Sequence, residues 1–132
     1  MSHQIGPVLA KDGALYVSVG DAEVPESAQS LKSPNGKILR MTYDGKAMPD
    51  NPFYSSAHPD APQSYIWAYG IRNAFGLAFA GDRLFAADNG PGIDRFLEVP
   101  KGLNGMYDGT DWSIGINADA VFSPAVSPVQ MI

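Results

Sequence analysis

Arg72 and Asn73 stand side by side in Tyr69-Gly70-Ile71-Arg72-Asn73-Ala74-Phe75-Gly76, between two apolar runs, Ser64 to Tyr69 and Gly76 to Ala80, that read as strands. A fixed cation beside an amide at a strand end suits an anionic, oxygen-rich ligand. Gly70 and Gly76 on either side permit a tight turn or a close backbone approach. The remaining polar residues point to less specific chemistry. Asp21 and Asp88 each end an apolar run, where a carboxylate serves as a ligand or, more commonly, as an acceptor for turn amides. Asp108, Asp111 and Asp119 are spaced too irregularly for an EF-hand loop and lack its sharp-turn glycine. Gly90-Pro91-Gly92 is followed by no Lys-Ser or Lys-Thr, so it is not a phosphate loop. His58 reads as a solvated loop residue, Trp67 as packing, and Trp112 as packing or a surface for sugar stacking.

The elements that must position these residues are short strands. Val8 to Ala10 and Ala14 to Val19, separated by Lys11-Asp12-Gly13, form a hairpin pattern, and Gly36 to Tyr43 restores a strand after a polar loop over Ala22 to Asn35. Pro49, Pro52, Pro59 and Pro62 make Lys46 to Gln63 a long surface excursion. Leu77 to Ala80, Gly81-Asp82 and Arg83 to Asp88 then repeat the opening hairpin, with Leu84 following Leu15 by 84 − 15 = 69 residues. A further strand follows over Asp94 to Val99, and Gly102 to Pro128 reads as a long loop ending in a strand that begins at 129–132. No helix of convincing length is predicted. The domain reading is a single all-β unit of antiparallel four-stranded meanders with long loops. Its first region is 1–63, its second 64–101, and 102–132 is loop and the start of another strand. A repeat of this kind resembles the blades of a β-propeller, whose units run about 40 to 50 residues before insertions.

Composition limits the partners. The chain has 132 residues, 45% hydrophobic and 17% charged, which is ordinary for one globular domain. A formal net charge of -5 with nine scattered basic residues excludes a phosphate-backbone binder, so nucleic acid is not an expected partner. With no cysteine there is neither a disulfide nor a thiolate metal site. No apolar run is long enough to span a bilayer, and Met1-Ser2-His3-Gln4 lacks the regions of a signal peptide. The apolar run at 129–132 reads as a chain cut short, and the start reads the same way.

Five segments in register resemble the soluble PQQ-dependent sugar dehydrogenases, the glucose, sorbosone or aldose dehydrogenase family of six-bladed β-propellers. They are Asp12 to Asp21, Gly36 to Met41, Asp50-Asn51-Pro52-Phe53, Gly70-Ile71-Arg72-Asn73 and Asn89-Gly90-Pro91. The resemblance covers most of residues 3 to 108, about two blades, and therefore implies a partial propeller. It implies oxidation of an aldose by hydride transfer to the quinone PQQ, with calcium as a second cofactor and a sugar as substrate. Arg72 and Asn73 match the pair that contacts the cofactor. Gly90 and Pro91 match positions whose carbonyls help hold its calcium, and hard carbonyl oxygens suit that ion. His3 resembles the general base, since imidazole accepts a proton near neutral pH. The parent family is periplasmic or secreted. A two-blade unit with exposed strand edges is also expected to self-associate.

This chain departs from the family at identifiable places. Ile71 stands where a histidine is usual, and Lys101 to Tyr107 lacks the usual Asn-Tyr-Gly-Trp order. Where the family has consecutive acids that bind structural calcium, Asp94 is followed by Arg95 and Phe96, so that site is not expected. Two rival functions follow from the fold alone. One is a non-catalytic propeller that binds a protein or carbohydrate. The other is a calcium-dependent lactonase-like hydrolase, which needs acids converging on one axis.

Overall fold

The structure is a computed structural model that describes residues 2–129. Its strands are β1 (Ile5–Lys11), β2 (Ala14–Val19), β3 (Lys37–Thr42), β4 (Ile66–Tyr69), β5 (Ala74–Ala80), β6 (Arg83–Asn89), β7 (Asp94–Glu98) and β8 (Ala120–Phe122). They pair antiparallel in chain order into two 4-stranded sheets, β1-β2-β3-β4 and β5-β6-β7-β8. This is the all-β meander predicted from the strand and turn pattern. Asp12 and Gly13, at φ 50 and 78, make the tight turn between β1 and β2, as the Asp-Gly pair requires.

The 69-residue repeat survives at the level of register. β1 and β5 occupy equivalent positions, and each carries an irregularity near its start, between Ile5 and Val8 and between Ala74 and Gly76. Of the run read as a strand from Ser64 to Tyr69, the first two residues end α1 and Ile66–Tyr69 pairs with β3, so β4 closes the first sheet instead of opening the second. The second sheet is closed by β8, in the stretch that reads as loop from sequence. Three residues flanked by Asn, Asp, Ser and Pro carry too little local signal, and pairing with β7 decides their state. Among the described residues the helices are short: a 3-10 turn at Pro25–Gln29, α1 (Pro62–Tyr65) and α2 (Asp111–Ile114). Apart from Val129, the strand expected at 129–132 lies outside the described residues. Among those described, no helix is long and apolar enough to cross a membrane.

The sheets pack face to face over Tyr16, Ile38, Ala68, Ile71, Leu77, Leu84 and Leu97. Tyr16 sets its ring edge-on to Trp67 and Phe79, with centroids 5.4 and 5.1 Å apart, so Trp67 serves packing. The outer face of the first sheet, Val17, Leu39 and Ile66, is covered by Phe53 from the proline-rich excursion. Asn51 anchors that excursion: its buried amide donates to the Arg40 and Ser64 carbonyls at 2.8 and 2.9 Å. The Asp50-Asn51-Pro52-Phe53 segment thus works as a clasp on β3.

Candidate functional site

Antiparallel order places the starts of odd strands and the ends of even strands on one rim. His3 before β1, Asp21 after β2, residues 70–73 between β4 and β5, and residues 88–91 at the end of β6 all lie there. Backbone bonds fasten these loops together. Gly20 N donates to Gln4 O, Asp21 N to Arg72 O, Ile71 N to Gly36 O, and Asn89 N to Asn73 O, at 2.8 to 3.2 Å.

His3 and Asp21 form the first cluster. His3 Nδ1 lies 2.6 Å from Asp21 Oδ1, with the carboxylate buried and the imidazole mostly so. The same Asp21 oxygen accepts Glu23 N–H at 3.0 Å, so it also bonds a turn amide as a strand-end aspartate should. A carboxylate acceptor at Nδ1 assigns the proton to that nitrogen and leaves the Nε2 lone pair as the basic site. His3 holds φ 56, a left-handed backbone that is uncommon outside glycine.

Asp88 organises the second cluster. Its fully buried carboxylate accepts Arg72 N–H and Asn73 N–H at 3.1 and 2.7 Å, which fixes the turn carrying both side chains. It also accepts two donors of the buried Arg95 guanidinium, at 3.0 and 2.7 Å. Arg72 Nη1 donates to the carbonyls of Asn89 and Gly90, at 2.8 and 3.1 Å. Asp94 holds the same loop by accepting Gly90 N–H at 3.1 Å. The Tyr107 phenol is buried beside this cluster. Burial raises its pKa, the Asp21 carboxylate adds to the rise, and the Arg72 cation opposes it.

The expected residues therefore gather on one rim: His3 against Asp21, Arg72 and Asn73 on Asp88, and Gly90 against Arg72. Pro91 follows Gly90 and is exposed. Two clefts of about 330 Å³ lie elsewhere and contain none of them. One borders Leu39, Met41 and Tyr65; the other borders Ile93 and the exposed Trp112. His58 is exposed on the excursion, as its setting predicts. Neither the pairing of Asp21 with His3 nor the central place of Asp88 is visible in the sequence. Both had the signal of a strand-end aspartate, which cannot say which loop will deliver the donors.

A model of the glucose and sorbosone dehydrogenase family matches residues 3–107. The chain belongs to that family. The aldose sugar dehydrogenase YliI of Escherichia coli (strain K12) is 31% identical over 105 residues, covering 77% of this chain and 28% of its own length. The PQQ-bound aldose sugar dehydrogenase of Streptomyces coelicolor superposes with a TM-score of 0.74 at 33% identity, over 89% of this chain and 35% of that one. The soluble aldose sugar dehydrogenase of Escherichia coli, in its apo form, shares the fold at a TM-score of 0.80 and 23% identity, over 94% and 41%. The chain thus spans about a third of the length of its relatives, and its two sheets are two blades of a β-propeller.

The residues on the rim suit an anionic quinone with a hard cation. Arg72 supplies a guanidinium whose Nη1 is held by the carbonyls of Asn89 and Gly90. The buried Asn89 Oδ1, next to Gly90, has no hydrogen-bond partner among the described residues and is an acceptor suited to a cation or donor. No three His, Asp or Glu side chains among the described residues are placed to share an ion, so calcium here would rest on carbonyl oxygens and on its ligand. Asp94 accepts the amides of Gly90, Val126 and Ser127 at 3.1, 2.6 and 2.6 Å, so its carboxylate is engaged by backbone donors, and Arg95, next along β7, brings a buried cation and no ligand oxygen.

Proposed function

We propose that this chain forms one wall of the active site of a PQQ-dependent aldose dehydrogenase, with Arg72 and Asn73 against the cofactor and His3 as the base. Carbonyls of Gly90 and Pro91 would help hold calcium. What carries the reading is the His3–Asp21 contact at 2.6 Å, tied through Asp21 N to Arg72 O at 2.8 Å. That backbone bond ties the loop carrying His3 and Asp21 to the turn carrying Arg72, which supports a base and a cation acting on one rim. PQQ, when bound, supplies a two-electron acceptor for hydride.

The residues divide the remaining work. His3 Nε2 takes the proton from the sugar hydroxyl, and Asp21 stabilises the imidazolium that results and keeps the ring oriented. Arg72 offers positive charge where negative charge develops on the oxygens of the acceptor, and its own position is fixed by the Asn89 and Gly90 carbonyls. Asp88 presets the turn, so little reorganisation is needed when charge develops. The parent enzyme would work in the periplasm or outside the cell, and the free edges of this two-blade unit would favour self-association.

Titrating the chain with PQQ and calcium tests the binding half of this reading. A saturable absorbance change that is lost in Arg72→Ala is expected, and its absence in the unmodified chain would refute it. In the complete enzyme containing this sequence, His3→Gln should lower sugar-dependent dye reduction about 10²- to 10⁴-fold, the usual contribution of a general base.

A further inference from the structure

Arg95 is fully buried, and its guanidinium is surrounded by oxygen. Nη2 donates to Gly70 O at 2.9 Å and to Asp88 Oδ2 at 2.7 Å, and Nε donates to that same oxygen at 3.0 Å. Nη1 donates to Gly105 O, to Ile116 O at 3.1 Å and to Ile114 O at 3.3 Å. Four carbonyls and a carboxylate from four separate segments meet at this side chain. Carbonyl and carboxylate oxygens at the junction of loops are the donor set of a calcium site, not of an ordinary salt bridge.

The first blade repeats the device at the matching register. Arg95 pairs across the sheet with Asp88, and Lys37 pairs with Val19, while Asp88 follows Val19 by 88 − 19 = 69 residues. Lys37 is also fully buried, and its ammonium donates to the carbonyls of Ser27, Ala28 and Asn35 at 2.8, 3.1 and 2.6 Å. The two cages touch. Gly70 N donates to Ala28 O, which Lys37 also holds, and Gly70 O accepts from Arg95.

We propose that Arg95 is a built-in cation that takes the place of a metal ion in an oxygen cage, organises the Arg72–Asn73 turn through Asp88, and makes that turn independent of bound metal. Removing the guanidinium leaves the Asp88 carboxylate and the carbonyls facing a void. A calcium ion needs oxygens at about 2.3–2.6 Å, closer than the guanidinium keeps them, so water would complete its shell there. The inference concerns Arg95 and Asp88 and does not depend on PQQ binding at the rim.

The test is calorimetric titration of the cofactor-free chain with CaCl2, comparing wild type, Arg95→Ala and Arg95→Lys, with thermal melts of each in chelator. Arg95→Ala should melt roughly 10 °C or more below wild type in chelator, as expected when a buried charge loses its partner. It should show a calcium-binding heat that wild type lacks, and regain at least half of the lost melting temperature in calcium. Arg95→Lys, which keeps the charge, should retain most of the wild-type stability without calcium. Identical calcium isotherms for wild type and Arg95→Ala would overturn the proposal, as would an Arg95→Lys no more stable than Arg95→Ala. Should Arg95→Ala fold only when refolded with CaCl2, the proposal stands; should calcium make no difference to its refolding, it falls.

Discussion

Replacing Asp88 by Asn tests the reasoning most directly, because that carboxylate serves the rim and the interior at once. The substitution preserves shape but removes the only carboxylate that faces Arg95 among the described residues, and both side chains are fully buried. Asn can still offer an oxygen to Arg72 N–H and Asn73 N–H, yet its amide would then point donors at the donors of Arg95. Breaking a buried pair by removing one partner costs about 3–5 kcal/mol, because the other charge is left uncompensated. Set against a total stability of about 5–15 kcal/mol, that is a large share. For a domain of this length each kcal/mol shifts the midpoint by roughly 3–5 °C, so the melting temperature should fall about 10–20 °C. Circular dichroism melts at neutral pH measure it. Adding Arg95→Met removes the stranded charge, so the double variant should lose less than the sum of the two single variants, with a coupling of about 1–3 kcal/mol. A D88N chain melting within about 2 °C of wild type, or a strictly additive double variant, would refute the claim that these two charges hold the turn.

Three further outcomes follow from the packing. Asn51→Ala strands the carbonyls of Arg40 and Ser64 in the interior, which should cost about 2–4 kcal/mol in urea unfolding and loosen the excursion to proteolysis. Gly70→Ala should destabilise the chain by more than about 1 kcal/mol, since Gly70 holds φ +71 and an added Cβ would lie 2.6 Å from Met106 N. Burial lowers the Lys37 pKa to about 8 in the folded chain, against an unfolded value near 10.5. Between those values the unfolded chain binds the extra proton, so stability rises with pH there, and below about pH 8 the buried ammonium carries its full desolvation cost. Urea midpoints measured from pH 7 to 10 should therefore rise for wild type relative to Lys37→Met, and parallel profiles would contradict this.

The strands were legible where periodicity and turn residues agreed. The Asp12-Gly13 hairpin, β3 after Gly36, and the Leu77 to Asp88 hairpin all follow from β-rich runs bounded by glycine and aspartate. β8 was not legible, because a strand of three residues is defined by its neighbour and not by its own composition. The grouping of strands into blades is equally nonlocal: β4 is adjacent in sequence to the second hairpin, yet it pairs with β3.

The all-β class, the 69-residue repeat and the residue types at the rim are set by local propensity and by motifs in order along the chain. The sequence singles out Arg95 only as a missing calcium ligand. Tertiary structure alone decided that Asp21 meets His3, that Asp88 receives two amides and a guanidinium, and that Arg95 and Lys37 sit in carbonyl cages at one register. Those partners come from loops that are far apart in sequence, and burial makes each unpaired charge so costly that the fold must bring the oxygens to it.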